Sequence, residues 1–289
     1  MNGTALITGA SSGIGFEMSQ MLARDGWDVI LVGRNTEVLE QLRTRIGEKY
    51  DQCSVYVVSA DLSKDGAAQQ LYKDVKDIGV NVDFLINCAG LGDFGPFAEC
   101  DLRKQETQIH VNDLALTGIT RLFLPEMIER GSGRILNVSS IAAFQPGPLM
   151  SVYYASKAYV QSFTEALAVE LRGTGVKVSV LCPGPVDTPF LKLAGQTEQN
   201  MFKKSACVTA AYVAEYGLKR AFKNKVVIVV GLSNKLLIFV ERLVPRSWIR
   251  RIVYMIQAKP SPEAKKRAKK EKKQAKKEKK QAEKEKKSE

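Results

Sequence analysis

The sequence predicts an α/β fold in which helices cover both faces of a seven-stranded parallel sheet, the doubly wound arrangement. Three observations support it. Short β-branched runs recur with helix-length segments between them, as parallel strands joined by crossovers require. Several runs, VDFLIN and KVVIVV among them, are almost continuously apolar, which marks strands buried on both sides rather than half-exposed antiparallel ones. The first run ends in a glycine-rich turn that opens a helix. In such a sheet ligands sit beyond the carboxyl ends of the strands, so the residues that close each strand are the candidates for chemistry.

The first strand is expected over Thr4–Thr8. TGASSGIG follows, with Gly9, Gly13 and Gly15 at the turn and Phe16, Met18 and Leu22 carrying on as a helix. Glycine lets the backbone turn tightly and approach a pyrophosphate, whose charge the amides at a helix N-terminus stabilise. The GxxxGxG spacing departs from GxGxxG; alone it would serve as a turn, but its place after a first strand points to a dinucleotide.

The second strand, Asp28–Gly33, closes on Gly33, Arg34 and Asn35, where an acid would normally bind the ribose hydroxyls. No carboxylate stands there to repel a 2′-phosphate, and the guanidinium fork of Arg34 suits one, so NADP(H) is expected over NAD(H). The plainer alternative is a surface arginine after a strand.

Strands three and four are expected at residues 54–58 and 82–87, and the fifth at 134–138, which closes on Ser139 and Ser140. Thirteen residues after Ser140 comes Tyr153, in YYASK, with Lys157 four residues further on. That step puts both on one helix face. A free phenol with pKa near 10 is a poor acid–base group at neutral pH, and an adjacent ammonium would draw it toward the useful range. Tyr154, three residues from Lys157, is a competing candidate, and a lone YxxxK also arises from packing. The sixth and seventh strands are expected at 177–181 and 225–230.

Composition narrows the classes further. With 289 residues, 45% hydrophobic and 26% charged, the chain has apolar material for one large core and is not disordered. Of the net charge of +12, residues 259–289 carry +9, so the basic balance says little about the domain's own partners. The five cysteines are scattered and never form CxxC, which reads as reduced thiols in a reducing compartment. His110 is the only histidine, which removes a Cys/His zinc site and argues against a Ser-His-Asp hydrolase; no metal is expected. No apolar stretch approaches the roughly 18–20 residues a bilayer requires, and no basic-then-apolar leader precedes Thr4. A cytoplasmic protein without a spanning helix is expected.

After residue 231 the character changes. Residues 232–257 form two amphipathic segments split by Pro245, with Lys235, Arg242, Arg246, Arg250 and Arg251 among the apolar positions. They read as a helical cap or oligomer contact, as a helix pair on an anionic membrane surface, or as an extension of a substrate pocket. In 259–289, KKEKKQA repeats with alanine as its only small apolar residue, too little for a coiled-coil seam. A solvated, disordered tail is expected, able to meet anionic lipid, an acidic protein or RNA through charge alone. It lacks aromatic stacking groups, so no specific nucleic-acid recognition is expected.

TGASSGIG, NCAG at residues 87–90, the Asn112 segment, Ser140, the Tyr153/Lys157 motif and PGPVDT at 183–188 stand in the order seen in short-chain dehydrogenases/reductases, which the chain resembles over roughly residues 4–231. The resemblance implies a Rossmann-type nucleotide-binding and catalytic domain over 1–231, followed by a helical extension (232–258) and a charged tail (259–289). By the same likeness Ser140 would hydrogen-bond a substrate carbonyl and Tyr153 would act as the acid in reduction. Lys157 would lower the tyrosine pKa and hold the nicotinamide ribose, and Asn112 would position a relay water. Gly9, Ser11, Ser12, Gly13, Ile14 and Gly15 match the phosphate loop, and Arg34 matches an NADP-type arginine. Asp61 and Leu62 match positions beside adenine, and Asn87 and Gly90 match the loop after the fourth strand. Pro183, Gly184, Val186 and Thr188 match contacts to the carboxamide and phosphates. Cys88 and Cys182 depart from the family's asparagines and read as small buried residues.

Residues 188–207 lack a strand signal and fall where this family carries a mobile substrate lid, with Leu191, Leu193, Met201 and Phe202 as an apolar lining or simply a cover for the core. The wider sequence looks like the branch with 3-oxoacyl-CoA reductases and hydroxysteroid dehydrogenases. The expected function is therefore an NADP(H)-dependent oxidoreductase acting on an apolar ketone, aldehyde or alcohol, as a dimer or tetramer. The rivals are a catalytically silent nucleotide sensor or scaffold of the same fold, and a nucleic-acid binder built around the tail.

Overall fold

The computed structural model describes residues 3–194 and 207–258. The chain runs β1 (Thr4–Thr8), α1 (Gly13–Arg24), β2 (Asp28–Gly33), α2 (Thr36–Lys49), β3 (Val55–Ser59), α3 (Ala67–Ile78) and β4 (Phe84–Asn87). It continues through α4 (Leu102–Ile109), a π-helical turn (His110–Ala115), α5 (Leu116–Glu129), β5 (Gly133–Val138), α6 (Ser151–Glu170) and β6 (Val176–Cys182). Then follow β7 (Val186–Asp187), α7 (Pro189–Leu193), β8 (Val208–Thr209), α8 (Ala210–Phe222), β9 (Val227–Val229), α9 (Leu232–Glu241) and α10 (Arg246–Gln257). The tail and most of the expected lid, including Met201 and Phe202, lie outside the described residues, as does the side chain of Leu191.

Seven strands form one wholly parallel sheet in the order β3-β2-β1-β4-β5-β6-β9, the doubly wound arrangement. Each of its strands falls within two residues of an expected run. β9 is shorter than 225–230: Val227, Ile228 and Val229 are in register with Val180, Leu181 and Cys182 of β6, while Val226 and Val230 add one backbone hydrogen bond each at its ends. The pair β7·β8 is separate and was not anticipated: two-residue strands carry no periodicity to read.

The continuous apolarity of the strands has the expected cause. Ala5 and Ile7 of β1, Val29 and Leu31 of β2, and Phe84 and Ile86 of β4 feed one core with α1, α2 and α8. Their alternates Leu6, Ile30 and Leu85 feed a second core with α3 and α5 on the other face. Each fully buried side chain of this size stabilises the fold by about 1.5–3 kcal/mol.

Between α5 and α6 the sheet carries a polar seam. Asn87 Nδ2 donates to Asn137 Oδ1 (2.9 Å) and to Thr120 Oγ1 (3.0 Å), and Asn137 Nδ2 donates to Thr164 Oγ1 (2.9 Å), all buried. This ties the ends of β4 and β5 to the helices beneath the site. Replacing Asn137 with leucine takes one of two acceptors from the Asn87 amide and the donor from Thr164, and urea unfolding should show a loss of about 2–4 kcal/mol. An unchanged midpoint would show the seam to be without structural weight.

Candidate active site

The strand order reverses between β1 and β4, and a cavity of about 770 Å³ lies at the carboxyl ends of the strands there. Its nucleotide-sized half begins at the glycine turn. Gly9 and Gly13 adopt φ of +70° and +57°, the left-handed region, and a Cβ on Gly9 would sit 3.0 Å from the Ala89 backbone. A Cβ on Gly15 would sit 2.5 Å from the Gly9 carbonyl oxygen, so the first turn of α1 can lie against the loop only with glycine there. Thr8 Oγ1 accepts from the amides of Cys88 (3.0 Å) and Ala89 (3.1 Å), joining the loops after β1 and β4 across the reversal.

Arg34 lines the cavity at the end of β2 and is exposed, with no acid at the adjoining Gly33 or Asn35. Asn35 instead caps α2, its Oδ1 accepting from the Val38 amide (3.2 Å). Asp61 and Leu62 line the same end. The Asp61 carboxyl is held below its ordinary pKa, first by hydrogen bonding from the Ser63 hydroxyl and also by Arg34 and Lys64.

At the other end Ser140, Tyr153 and Lys157 meet. Ser140 caps the turn after β5, its Oγ accepting from the Ala142 amide at 3.1 Å. Tyr153 and Lys157 share a face of α6, with Nζ 5.8 Å from the phenol ring centroid. Lys157 is buried and donates from Nζ to the Val138 carbonyl at 3.0 Å, while Ser139 Oγ donates to the Lys157 carbonyl at 2.7 Å. The Gly90 loop presses on it: a Cβ there would lie 3.3 Å from Nζ.

Burial pushes the Tyr153 phenol up to about 12, and hydrogen bonding with Ser140 acts the other way. Lys157 is pulled below its usual value, also by burial. The ammonium is turned to a carbonyl, and Ser140 is the group that opposes burial.

Most of the expected residues line this one cavity: Gly9, Ser11, Ser12, Gly13, Ile14, Arg34, Asp61, Leu62, Gly90, Ser140, Tyr153, Lys157, Pro183, Gly184, Val186 and Thr188. Three stand behind its wall. Gly15 packs against Gly9, Asn87 is spent in the polar seam, and Asn112 is buried in the π-helical turn. Asn112 Oδ1 accepts from the Leu91 amide (2.8 Å), and its Nδ2 donates to the Leu91 carbonyl (3.0 Å) and Ser156 Oγ (2.9 Å). Its side chain therefore holds the loop after β4 onto α6. Of the two departures, Cys182 is fully buried, whereas Cys88 is only partly so and reaches the cavity.

Phe190 was missed, and the surroundings of Tyr154 and of residues 232–257 become visible only in the fold. Phe190 of α7 lies against Tyr153, with ring centroids 5.4 Å apart. Tyr154 also lines the cavity, but its hydroxyl accepts from Gln257 Nε2 at 2.7 Å, engaged by α10. Its ring lies where a side chain on Gly147 would be, so only glycine fits at that position. The substrate-side wall comes from α9 and α10, with Leu237, Val240, Ile249, Ile252 and Val253 facing the cavity. Of the three readings of 232–257, these helices thus meet the pocket extension directly. Leu193 lines the same space.

The fold and site define a nucleotide-dependent oxidoreductase architecture, and the comparisons agree. The family model described as short chain dehydrogenase matches residues 3–199, and the chain belongs to that family. It is 35% identical to the ketoacyl reductase HetN of Nostoc sp., over 84% of this chain and 86% of that one. It is 38% identical to mouse 17-beta-hydroxysteroid dehydrogenase type 3, over 65% of this chain and 61% of that one. Among solved structures it is similar to a short-chain dehydrogenase from Sphingobium yanoikuyae in complex with NADPH. The TM-score is 0.75 at 27% identity, covering 83% of this chain and 93% of that one.

Proposed function

We propose that the protein is an NADP(H)-dependent oxidoreductase that interconverts a carbonyl and an alcohol on an apolar substrate: a 3-oxoacyl thioester, a sterol-like ketone, or another ketone or aldehyde. The observation that carries this reading is the joining, in one cavity, of the glycine turn and Arg34 to Ser140, Tyr153 and Lys157. Residues 1–231 supply the nucleotide site and the chemistry, and 232–258 close the substrate end.

The residues fit the nucleotide. The left-handed backbone at Gly9 and Gly13 packs the turn tightly on its neighbours and brings it to the cavity, beside the amides that open α1. Arg34, without a neighbouring acid, suits a 2′-phosphate. The Sphingobium enzyme holds NADPH, which supports the same choice here. When bound, the dinucleotide supplies or takes the hydride.

The chain's own groups handle the proton and the oxygen. Tyr153, its pKa raised by burial, keeps its proton at neutral pH and donates it to the substrate oxygen as that oxygen gains charge. The Ser140 hydroxyl steadies the same oxygen, an electrostatic contribution made stronger by the dry surroundings. Lys157, anchored on Val138, keeps a positive charge beside the phenol. Asn112 acts as a positioning residue through Leu91 and Ser156. Phe190 and the apolar wall exclude water. That wall also supports the substrate class, which the names of the ketoacyl reductase and hydroxysteroid dehydrogenase relatives match. Exposed Leu102, Ile109, Leu114 and Ile128, from α4 to α5, offer an apolar surface for a dimer or tetramer.

Loss of NADPH absorbance against a panel of 3-oxoacyl thioesters, steroid ketones and simple aldehydes tests the reaction. Tyr153→Phe should lower turnover by about a hundredfold or more while NADPH still binds; equal loss of binding would make Tyr153 a structural residue. No turnover with any carbonyl, together with tight NADPH binding, would favour the sensor reading. Arg34→Ala should reduce the preference for NADPH over NADH by about tenfold or more. An unchanged preference would return Arg34 to the role of a surface residue.

A further inference from the structure

Helices α9 and α10 leave much aliphatic and aromatic surface in contact with solvent. Along α9 and the turn that follows it, Leu232, Leu236, Phe239 and Leu243 recur at helical spacing and are 82, 61, 59 and 71% exposed. Lys235 and Arg242 fall along one edge of that stripe. Along the other edge fall Leu237, Val240 and Val244, which line the cavity. On α10, Ile249, Val253 and Gln257 turn inward, and Trp248, Ile252 and Met255 form an exposed flank. Arg246, Arg250 and Arg251 of the same helix are exposed.

Four residues belong to both surfaces. Leu237, Val240, Ile252 and Ile256 line the cavity and are 44, 45, 44 and 55% exposed, so the cavity opens between the two helices through an apolar rim. Every exposed charge on the pair is positive; the one acid, Glu241, lines the cavity instead. From Ala258 the chain passes directly into 259–289, with its net charge of +9.

This combination selects the occupant. A second copy seated here would set the same basic patch against itself, because a twofold interface repeats one surface on both sides. An anionic bilayer complements both features: acyl chains take the apolar stripe while lysine and arginine reach the headgroups. Each basic residue near such a surface strengthens binding by about fivefold. We propose that α9 and α10 seat the mouth of the cavity on an anionic membrane surface, so that the apolar substrate enters from the lipid. The entry route rests on the function proposed above; the seating does not.

The test is co-sedimentation of the full chain with vesicles of phosphatidylcholine and phosphatidylglycerol, beside vesicles of phosphatidylcholine alone. The expected result is binding to the anionic vesicles, weakened about tenfold or more by Leu236→Glu with Phe239→Glu. These side chains lie outside the cavity lining, so NADPH binding should be unchanged in that variant, which shows that it is folded. Should it fail to fold, Arg250→Glu with Arg246→Glu serves as the second variant, with the same loss expected. Binding that survives both changes comes from the tail alone and overturns the proposal. So does absence of binding by the unaltered chain, or a dimer that Leu236→Glu with Phe239→Glu dissolves. Failure of turnover with any carbonyl leaves the vesicle result standing, so the two readings fail separately.

Discussion

Lys157 carries an ammonium into the interior with only 5% of the residue exposed, and much of the surrounding structure answers to that constraint. Taking such a charge out of water costs several kcal/mol unless fixed dipoles replace the lost hydration. The Val138 carbonyl supplies one, at the point where β5 ends. Ser139 then grips the Lys157 backbone, and the loop at Gly90 packs closely against the ammonium, where a Cβ would lie 3.3 Å from Nζ. The position of α6 relative to the sheet, and with it the position of Tyr153, follows from these contacts.

The same burial sets the character of the phenol. In water Tyr153 would begin to lose its proton near pH 10, but in this site it holds the proton well beyond that, even with Ser140 alongside. A protonated phenol in that condition can donate to an oxygen that gains charge. The phosphate loop and Arg34 lie at the other end of the same cavity, so nucleotide and proton donor address one space. The C-terminal helices line its apolar end, and several of the same side chains are also exposed.

Much of this was legible because each signal had a local physical cause. Strands buried on both faces read as continuous apolar runs, and the glycine turn, Ser140 and the Tyr153 to Lys157 step occupy the strand ends where a doubly wound sheet holds its ligands. Arg34, singled out by the absence of an acid beside it, lines the cavity at the end of β2. What escaped depended on contacts distant in sequence. Nothing near Thr8 shows that its hydroxyl receives two amides from the loop after β4, some eighty residues away. Gln257 meets Tyr154 across 103 residues, and the amphipathic pattern of α10 shows an apolar face without saying what it meets. Asn112 was found by its motif, but its side chain proved to hold Leu91 and Ser156 behind the cavity wall. The short β7·β8 pair and the contact of Phe190 with Tyr153 likewise have no sequence period behind them.

Direct titration of Tyr153 is the most pointed measurement. With tyrosine labelled at Cζ by carbon-13, the Tyr153 resonance can be assigned by its loss in Tyr153→Phe and followed with pH in protein without added nucleotide. The burial described here predicts a resonance that stays at the protonated position through pH 10, with its midpoint near the value of about 12. A midpoint at or below 10 would contradict it, because the hydrogen bond with Ser140 or the charge of Lys157 would then outweigh burial.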